Sequence, residues 1–267
     1  MTKYVLFDLD GTLNDPYEGI TGCIKYALSS VGIEENDPEK LRSYIGPPLR
    51  NTFAKYGFDD EKCEELVAKY REKFLVTGIH QNVTYEGIHE MLENLFEHGC
   101  KIALASCKPE GACKIILEET GMLKYFETVC GATLDKTLDT KPAIIGVALK
   151  RLGVSEEELE HVYMVGDRDM DMIGALENGV HAVGALYGYG GKEELSESGA
   201  EYLFASIICC AIFNISTTPI IATSEVVFII LVVRFIASGM SLLTACGIIM
   251  FMYICGLEIP SAMLLSY

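Results

Sequence analysis

This chain predicts an α/β fold with a mostly parallel sheet, and three observations carry the prediction. Short apolar runs, too short for helices, end in polar residues: Val5-Leu6-Phe7 before Asp8, Lys101 to Ala105 before Ser106, and Val162 to Gly166 before Asp167. Runs of that length suit strands buried on both faces, as in a parallel sheet covered by helices. Between the first and second runs, residues 15–81 have apolar residues at helix spacing, as in GITGCIKYALSSVGI and KCEELVAKYREKFLV. That stretch contains few β-branched runs, so it reads as a helical insertion between two strands. Finally, the polar residues that end the runs include acids and a hydroxyl. In an open α/β sheet, ligands bind beyond the carboxyl ends of the strands.

The first run is the most informative. Tyr4 to Thr12 reads YVLFDLDGT, with two carboxylates one residue apart, Asp8 and Asp10, followed by Gly11 and Thr12. One carboxylate at a sheet edge can attack a substrate while its neighbour moves a proton. Asp-Gly-Thr by itself is also an ordinary turn sequence. Taken singly, Ser106 would suit a strand end or a helix cap, and Lys141, in DTKPAII, would suit a solvated surface. Their occurrence together and in order, with VYMVGDRDMD from Val162 to Asp171 closing the series, makes chance a poor explanation.

These four segments resemble the four motifs of the haloacid dehalogenase superfamily, whose members are mostly phosphatases. The resemblance implies that Asp8 is the nucleophile and Asp10 the general acid/base. It implies that Ser106 and Lys141, with backbone N–H groups after Asp8 around Gly11 and Thr12, bind the phosphoryl oxygens. Asp8, Asp167 and the Asp10 backbone carbonyl would ligate Mg²⁺, and Asp171 would hold the metal or its waters; Asp169 carries no assignment. The chemistry suits these residue types. A phosphoryl dianion repels an aspartate nucleophile unless a cation intervenes, and hard oxygen ligands suit Mg²⁺. Attack by aspartate forms an acyl-phosphate, which splits one difficult displacement into two easier ones.

The resemblance also implies the architecture. A doubly wound, Rossmann-like core would comprise residues 1–14 and 82–205, with a helical cap at 15–81 that closes over the site and excludes water. Within the cap, Ile45-Gly46-Pro47-Pro48-Leu49-Arg50 is similar to the substrate-facing loop of phosphoglycolate phosphatase-like and 5′-nucleotidase-like members. Arg50 is therefore a candidate substrate contact, and an inter-helix turn with Arg50 facing solvent is the other reading. Tyr85-Glu86-Gly87-Ile88, Ser106-Cys107-Lys108-Pro109 and Tyr187-Gly188-Tyr189-Gly190 match the same subgroup, with Cys107 in place of the more usual serine. The implied activity is Mg-dependent hydrolysis of a small phosphorylated metabolite, phosphoglycolate or a nucleoside 5′-monophosphate. A phosphosugar mutase and a non-catalytic, membrane-tethered scaffold are the alternatives.

Other signals lead elsewhere or nowhere. His89-Glu90 lacks the second histidine of a zinc-protease helix. Gly184 to Gly191 is glycine-rich but lacks the strand–loop–helix fingerprint of a dinucleotide site. The ten cysteines include no CxxC pair, so free thiols and a cytoplasmic catalytic domain are expected, with no signal peptide ahead of the first strand. A net charge of −17, of which −16 lies before Ser206, argues against a sequence-independent grip on nucleic acid.

Residues 206–267 differ from the rest. They hold only Glu225, Arg234 and Glu258 as charged groups, and 235–257 is an uncharged apolar stretch. Its length exceeds the ~20 residues that span a bilayer. The tail reads as a membrane anchor, as the product of an altered reading frame replacing a terminal helix, or as a segment buried in an oligomer. An anchor would hold the catalytic part at a membrane face; without one the protein would be soluble and cytoplasmic.

Overall fold

The computed structural model of the protein describes residues 2–135 and 137–205. Among these residues no helix is long and apolar enough to cross a membrane. The expected tail and its 235–257 span lie outside the described residues.

In chain order the elements are β1 (Tyr4–Phe7), β2 (Asn14–Asp15), α1 (Tyr17–Ser29), α2 (Pro38–Arg42), α3 (Leu49–Ala54), α4 (Asp60–Phe74) and β3 (Val83–Thr84). There follow α5 (Ile88–Glu97), β4 (Lys101–Pro109), α6 (Glu110–Glu119), β5 (Thr128–Ala132), α7 (Lys141–Leu152), β6 (Val162–Gly166), α8 (Asp169–Glu177), β7 (His181–Ala185), α9 (Lys192–Glu197) and β8 (Tyr202–Phe204). Six strands form one sheet in the order β5-β4-β1-β6-β7-β8. Every neighbouring pair in it is parallel.

Alternation along β1 explains why helices cover both faces. Val5 and Phe7 point into one apolar cluster with Ile88, Met91 and Leu92 of α5 and Ile116 and Leu117 of α6. Tyr4 and Leu6 point into the other, with Ile144, Ile145 and Ala148 of α7 and Met172 and Ala175 of α8. Successive strand residues face opposite sides, so a strand with no polar residue must be covered twice. The expected α/β parallel sheet, wound with helices on both faces, is what the chain forms.

Helices α1 to α4 lie between β2 and β3, where the sequence places helical periodicity. Both crossings of the chain run side by side, because β2 and β3 pair antiparallel at Asn14–Thr84 and Asp15–Val83. Asn14 Nδ2 also donates to Asn82 Oδ1 at 2.6 Å. The longest of these helices, α4, is capped by Asp59, whose carboxylate accepts from Lys62 N–H at 2.9 Å. Asp60 and Glu61 occupy its first turn and Arg71 and Lys73 its last, matching the helix dipole. Its apolar stripe, Cys63, Leu66, Val67, Tyr70 and Phe74, is buried. The six cysteines among the described residues are free thiols.

Candidate active site

Strand register brings the candidate residues to one edge. Phe7 sits opposite Leu104 on β4 and Val165 on β6. Asp8, Ser106 and Asp167 therefore lie within two residues of a common level, Asp8 and Asp167 just past their strands and Ser106 still paired with Gly131 of β5. Asp8 N–H still donates to Val165 O at 2.9 Å, extending the ladder by one bond. Lys141 opens α7 and Asp171 lies in the first turn of α8. Asp8, Ser106, Lys141, Asp167 and Asp171 are all buried, and Asp167 and Asp171 have no exposed surface.

Lys141 is the hub of this cluster. Its ammonium donates to Asp8 Oδ1 at 2.8 Å and to the Ala105 carbonyl at 2.9 Å. It also lies 2.7 Å from Asp171 Oδ1, close enough for an ion pair but without the alignment of a hydrogen bond. Burial alone would lower its pKa, yet Asp171 and Asp8 outweigh that and hold the ammonium well above the usual lysine range. Asp171 Oδ2 accepts from Arg168 N–H at 3.1 Å. Thr12 Oγ donates to Asp167 Oδ1 at 3.3 Å and Tyr189 N–H to Asp167 Oδ2 at 2.7 Å.

One ligand oxygen from each of Asp8, Asp167 and Asp171 lies within 4.8 Å of the others. Burial raises the pKa of Asp167 well above the carboxylate range, and its neighbours Asp171 and Asp8 add to the rise. Asp171 is raised by burial too, with Lys141 opposing and Asp8 reinforcing. Buried like charges at this spacing are stable only with a counter-charge. Asp171 Oδ1 is, moreover, a buried oxygen with no aligned donor. An all-oxygen set of this kind fits a hard divalent cation such as Mg²⁺.

Asp10 is placed differently. Its two oxygens lie 2.8 and 2.6 Å from the Lys108 ammonium. Burial raises its pKa, Lys108 opposes, and Asp8 adds to the rise. Gly11 and Thr12 stand between the two acids and the β2 strand. Their backbone N–H groups are engaged inside the loop, Gly11 with Asn14 O at 2.8 Å and Thr12 with Leu9 O at 3.3 Å. Gly11 has φ +86°, and a Cβ there would come within 2.1 Å of Asp167 Oδ2, so only glycine fits.

Arg50 is not brought to this edge. It lies in the first turn of α3, and its guanidinium pairs with Asp60 of α4 at 2.5 Å, with both side chains largely solvated. This is the solvent-facing arrangement of the two that its sequence allows. An exposed pair of this kind contributes little, because water and salt screen it. Arg50→Ala is therefore expected to change turnover by less than about twofold and to leave the melting temperature close to wild type, checked by steady-state kinetics beside thermal melting.

Two other arginines join the helical insertion to the site. Arg42 Nη2 donates to Gly188 O at 2.8 Å, and its guanidinium lies 4.5 Å from the centre of the Tyr189 ring. Arg168 Nη1 donates to Ile45 O, and its Nε bonds Glu194 Oε1 at 2.8 Å. The glycine-rich segment around Gly188 thus packs against Asp167 and Arg42. The sequence marks this loop and Lys108 without indicating a role for either. Arg42 carries no signal in the sequence, because its partner is a backbone carbonyl that any residue could supply.

Known proteins share this arrangement of sequence and fold. The profile of haloacid dehalogenase-like hydrolases matches residues 5–185. A 5′-nucleotidase of Pseudomonas aeruginosa is 41% identical over 192 residues, covering 72% of this chain and 86% of that protein. Tyrosine-protein kinase PtkA of Mycobacterium tuberculosis is 33% identical over 188 residues, covering 70% of this chain and 63% of that protein. A crystal structure from Clostridium acetobutylicum, described as a "predicted phosphatase", superposes with a TM-score of 0.74 at 38% identity, over 79% of this chain and 97% of that one. The profile match runs through all four motif segments, and on it and these relatives the chain belongs to the haloacid dehalogenase-like hydrolases, as a phosphoric monoester hydrolase.

Proposed function

We propose that the protein hydrolyses small phosphomonoesters, nucleoside 5′-monophosphates first among them, through an aspartyl-phosphate on Asp8 and with Mg²⁺ as cofactor. The observation that carries the reading is that two carboxylates of one loop have separate partners: Asp8 is held by Lys141 and Asp10 by Lys108. Two acids in distinct environments can take distinct roles. The Pseudomonas 5′-nucleotidase supports the substrate class, and phosphoglycolate is the other substrate that the sequence suggests.

In the proposed cycle an Asp8 oxygen forms a bond to phosphorus as the bond from phosphorus to the ester oxygen breaks. Asp10 gives its proton to that departing oxygen. It then takes a proton from water, which attacks the phosphorus of the aspartyl-phosphate and frees Asp8 and inorganic phosphate. The Ser106 hydroxyl and the Lys141 ammonium would steady the phosphoryl oxygens. Asp8, Asp167 and Asp171, with the Asp10 backbone carbonyl, would hold Mg²⁺. When bound, the ion neutralises charge on the phosphoryl group and lowers its repulsion for Asp8. Residues 15–81 would act as a cap over the core at 1–14 and 82–205, fastened in this structure by Arg42 and Arg168.

The test is release of inorganic phosphate by the full chain from a panel of nucleoside 5′-monophosphates, phosphoglycolate and sugar phosphates, with Mg²⁺ and after chelation. Nucleotides should be turned over, and chelation should lower the rate roughly 100-fold or more. Phosphate kept on a rearranged sugar would mean a mutase. Transfer from a nucleotide to protein tyrosine would put the chemistry nearer the named activity of PtkA.

A further inference from the structure

We propose that Lys108 is a positioning residue for Asp10: it holds the carboxylate in the orientation needed to pass a proton to the leaving group, and the end of α4 holds Lys108 in turn. The inference rests on the proposed cycle and deepens it.

The backbone of β4 is built to deliver this side chain. Its pairing with β5 runs in register to Ser106–Gly131 and then jumps to Pro109–Ala132. Cys107 and Lys108 therefore form a bulge, a device that re-aims a side chain at a strand end. The bulge passes so close to β5 that a Cβ on Gly131 would lie 2.6 Å from Lys108 O and 2.5 Å from the Glu110 backbone. Lys108 O accepts from Cys113 Sγ at 3.5 Å, and Lys108 N–H donates to Ser106 Oγ at 3.3 Å. The same bulge thus orients Ser106 and Lys108 together.

At its tip, Lys108 touches both oxygens of Asp10, with side-chain exposures of only 8% and 13% for the pair. A cation shared by both oxygens restrains the carboxylate at two atoms, so Asp10 cannot turn away without giving up a charge-assisted contact. On its other side the ammonium lies 5.0 Å from the centre of the Phe74 ring, a cation–π contact with the last residue of α4. Phe74 is itself stacked on Tyr70, with ring centroids 5.4 Å apart. The orientation of the proposed general acid is therefore tied, through one lysine, to the helical insertion.

Leaving-group dependence separates this role from others. A positioned acid matters most for an alkyl ester, whose alkoxide leaves poorly, and little for an aryl ester, whose phenolate leaves unaided. kcat/KM covers the steps up to departure of the first leaving group. In Mg²⁺ buffer, Lys108→Met should lower kcat/KM roughly 30-fold on a nucleoside 5′-monophosphate and less than about threefold on p-nitrophenyl phosphate. Competitive inhibition by inorganic phosphate should stay within about twofold of wild type. Added to Asp10→Asn, Lys108→Met should cost less than about twofold more, since a residue acting through Asp10 has nothing left to position. Lys108→Arg retains a cation within reach of both oxygens and should recover at least about a third of the alkyl-ester rate.

Equal losses on both esters, a weakened phosphate inhibition constant or full additivity with Asp10→Asn would each overturn the proposal. In those cases Lys108 acts on the phosphoryl group directly. If Lys108→Met does not fold, Lys108→Arg decides alone: a folded Arg variant with the same loss on both esters also overturns it. Failure of the underlying cycle would look different, because Asp8→Asn would then retain turnover on both esters.

Discussion

Asp8→Asn is expected to abolish phosphate release, by roughly 10⁴-fold or more, while leaving the protein folded. The substitution is nearly isosteric, but an amide oxygen does not attack phosphorus as a carboxylate does. Structurally the change is mild, because Lys141 keeps its contacts with Asp171 at 2.7 Å and with the Ala105 carbonyl at 2.9 Å. It also removes one of three buried carboxylates clustered within 4.8 Å, so lost attraction to Lys141 is offset by relieved repulsion from Asp167 and Asp171. The melting temperature should consequently stay within a few degrees of wild type, about 1 kcal/mol. Acid quenching of wild type during turnover, followed by peptide mass spectrometry, should find a phosphoryl group on the peptide containing Asp8 and none in the variant. More than a tenth of wild-type turnover in the Asn variant would remove Asp8 as the nucleophile.

What the sequence reveals about this site follows from how each residue reaches it. Asp8 and Asp167 follow strands directly and Ser106 ends the apolar run of β4, and a parallel sheet sends such positions to one edge, so apolar runs interrupted by polar residues disclose them. Lys141 and Asp171 arrive from helix starts behind those strands, where only the order of segments marks them. The contacts that tie the helical insertion to the core are of another kind. Arg42 reaches the Gly188 carbonyl and Arg168 the Ile45 carbonyl. Any residue can supply a carbonyl, so neither partner is visible in a string of letters. Arg50 shows the converse: it sits in a suggestive loop sequence, but its guanidinium turns to Asp60 on the neighbouring helix. Lys108 depends on a bulge, and a bulge is a matter of register between strands that are distant in sequence.

Lys141→Met should be the most disruptive single substitution, because it damages stability and chemistry together. The methionine fills a similar volume, so the loss is electrostatic rather than a cavity. The ammonium is almost fully buried and faces Asp8 and Asp171 at 2.8 and 2.7 Å. Breaking a buried pair by removing one partner costs about 3–5 kcal/mol, since the remaining charge is left without compensation. For a chain of this size that corresponds to a fall in melting temperature of roughly 10 °C. Asp171 already binds its proton more tightly folded than its ordinary value of 3.8, through burial and Asp8, and Lys141 is the group that opposes this. A carboxyl raised in the folded state makes stability fall as pH rises above its unfolded pKa. Without Lys141 that decline should steepen, so the deficit against wild type should be larger at pH 8 than at pH 5. Mg²⁺ places positive charge among the same carboxylates and should recover part of the lost stability, whereas chelation should expose all of it. Turnover should not recover in parallel, because the phosphoryl oxygens would still lack the Lys141 ammonium, a loss of roughly 10²–10³-fold. Melting curves at both pH values, with and without Mg²⁺, would separate the two effects, and a variant as stable as wild type at pH 8 in chelator would show that Lys141 is not the counter-charge of this cluster.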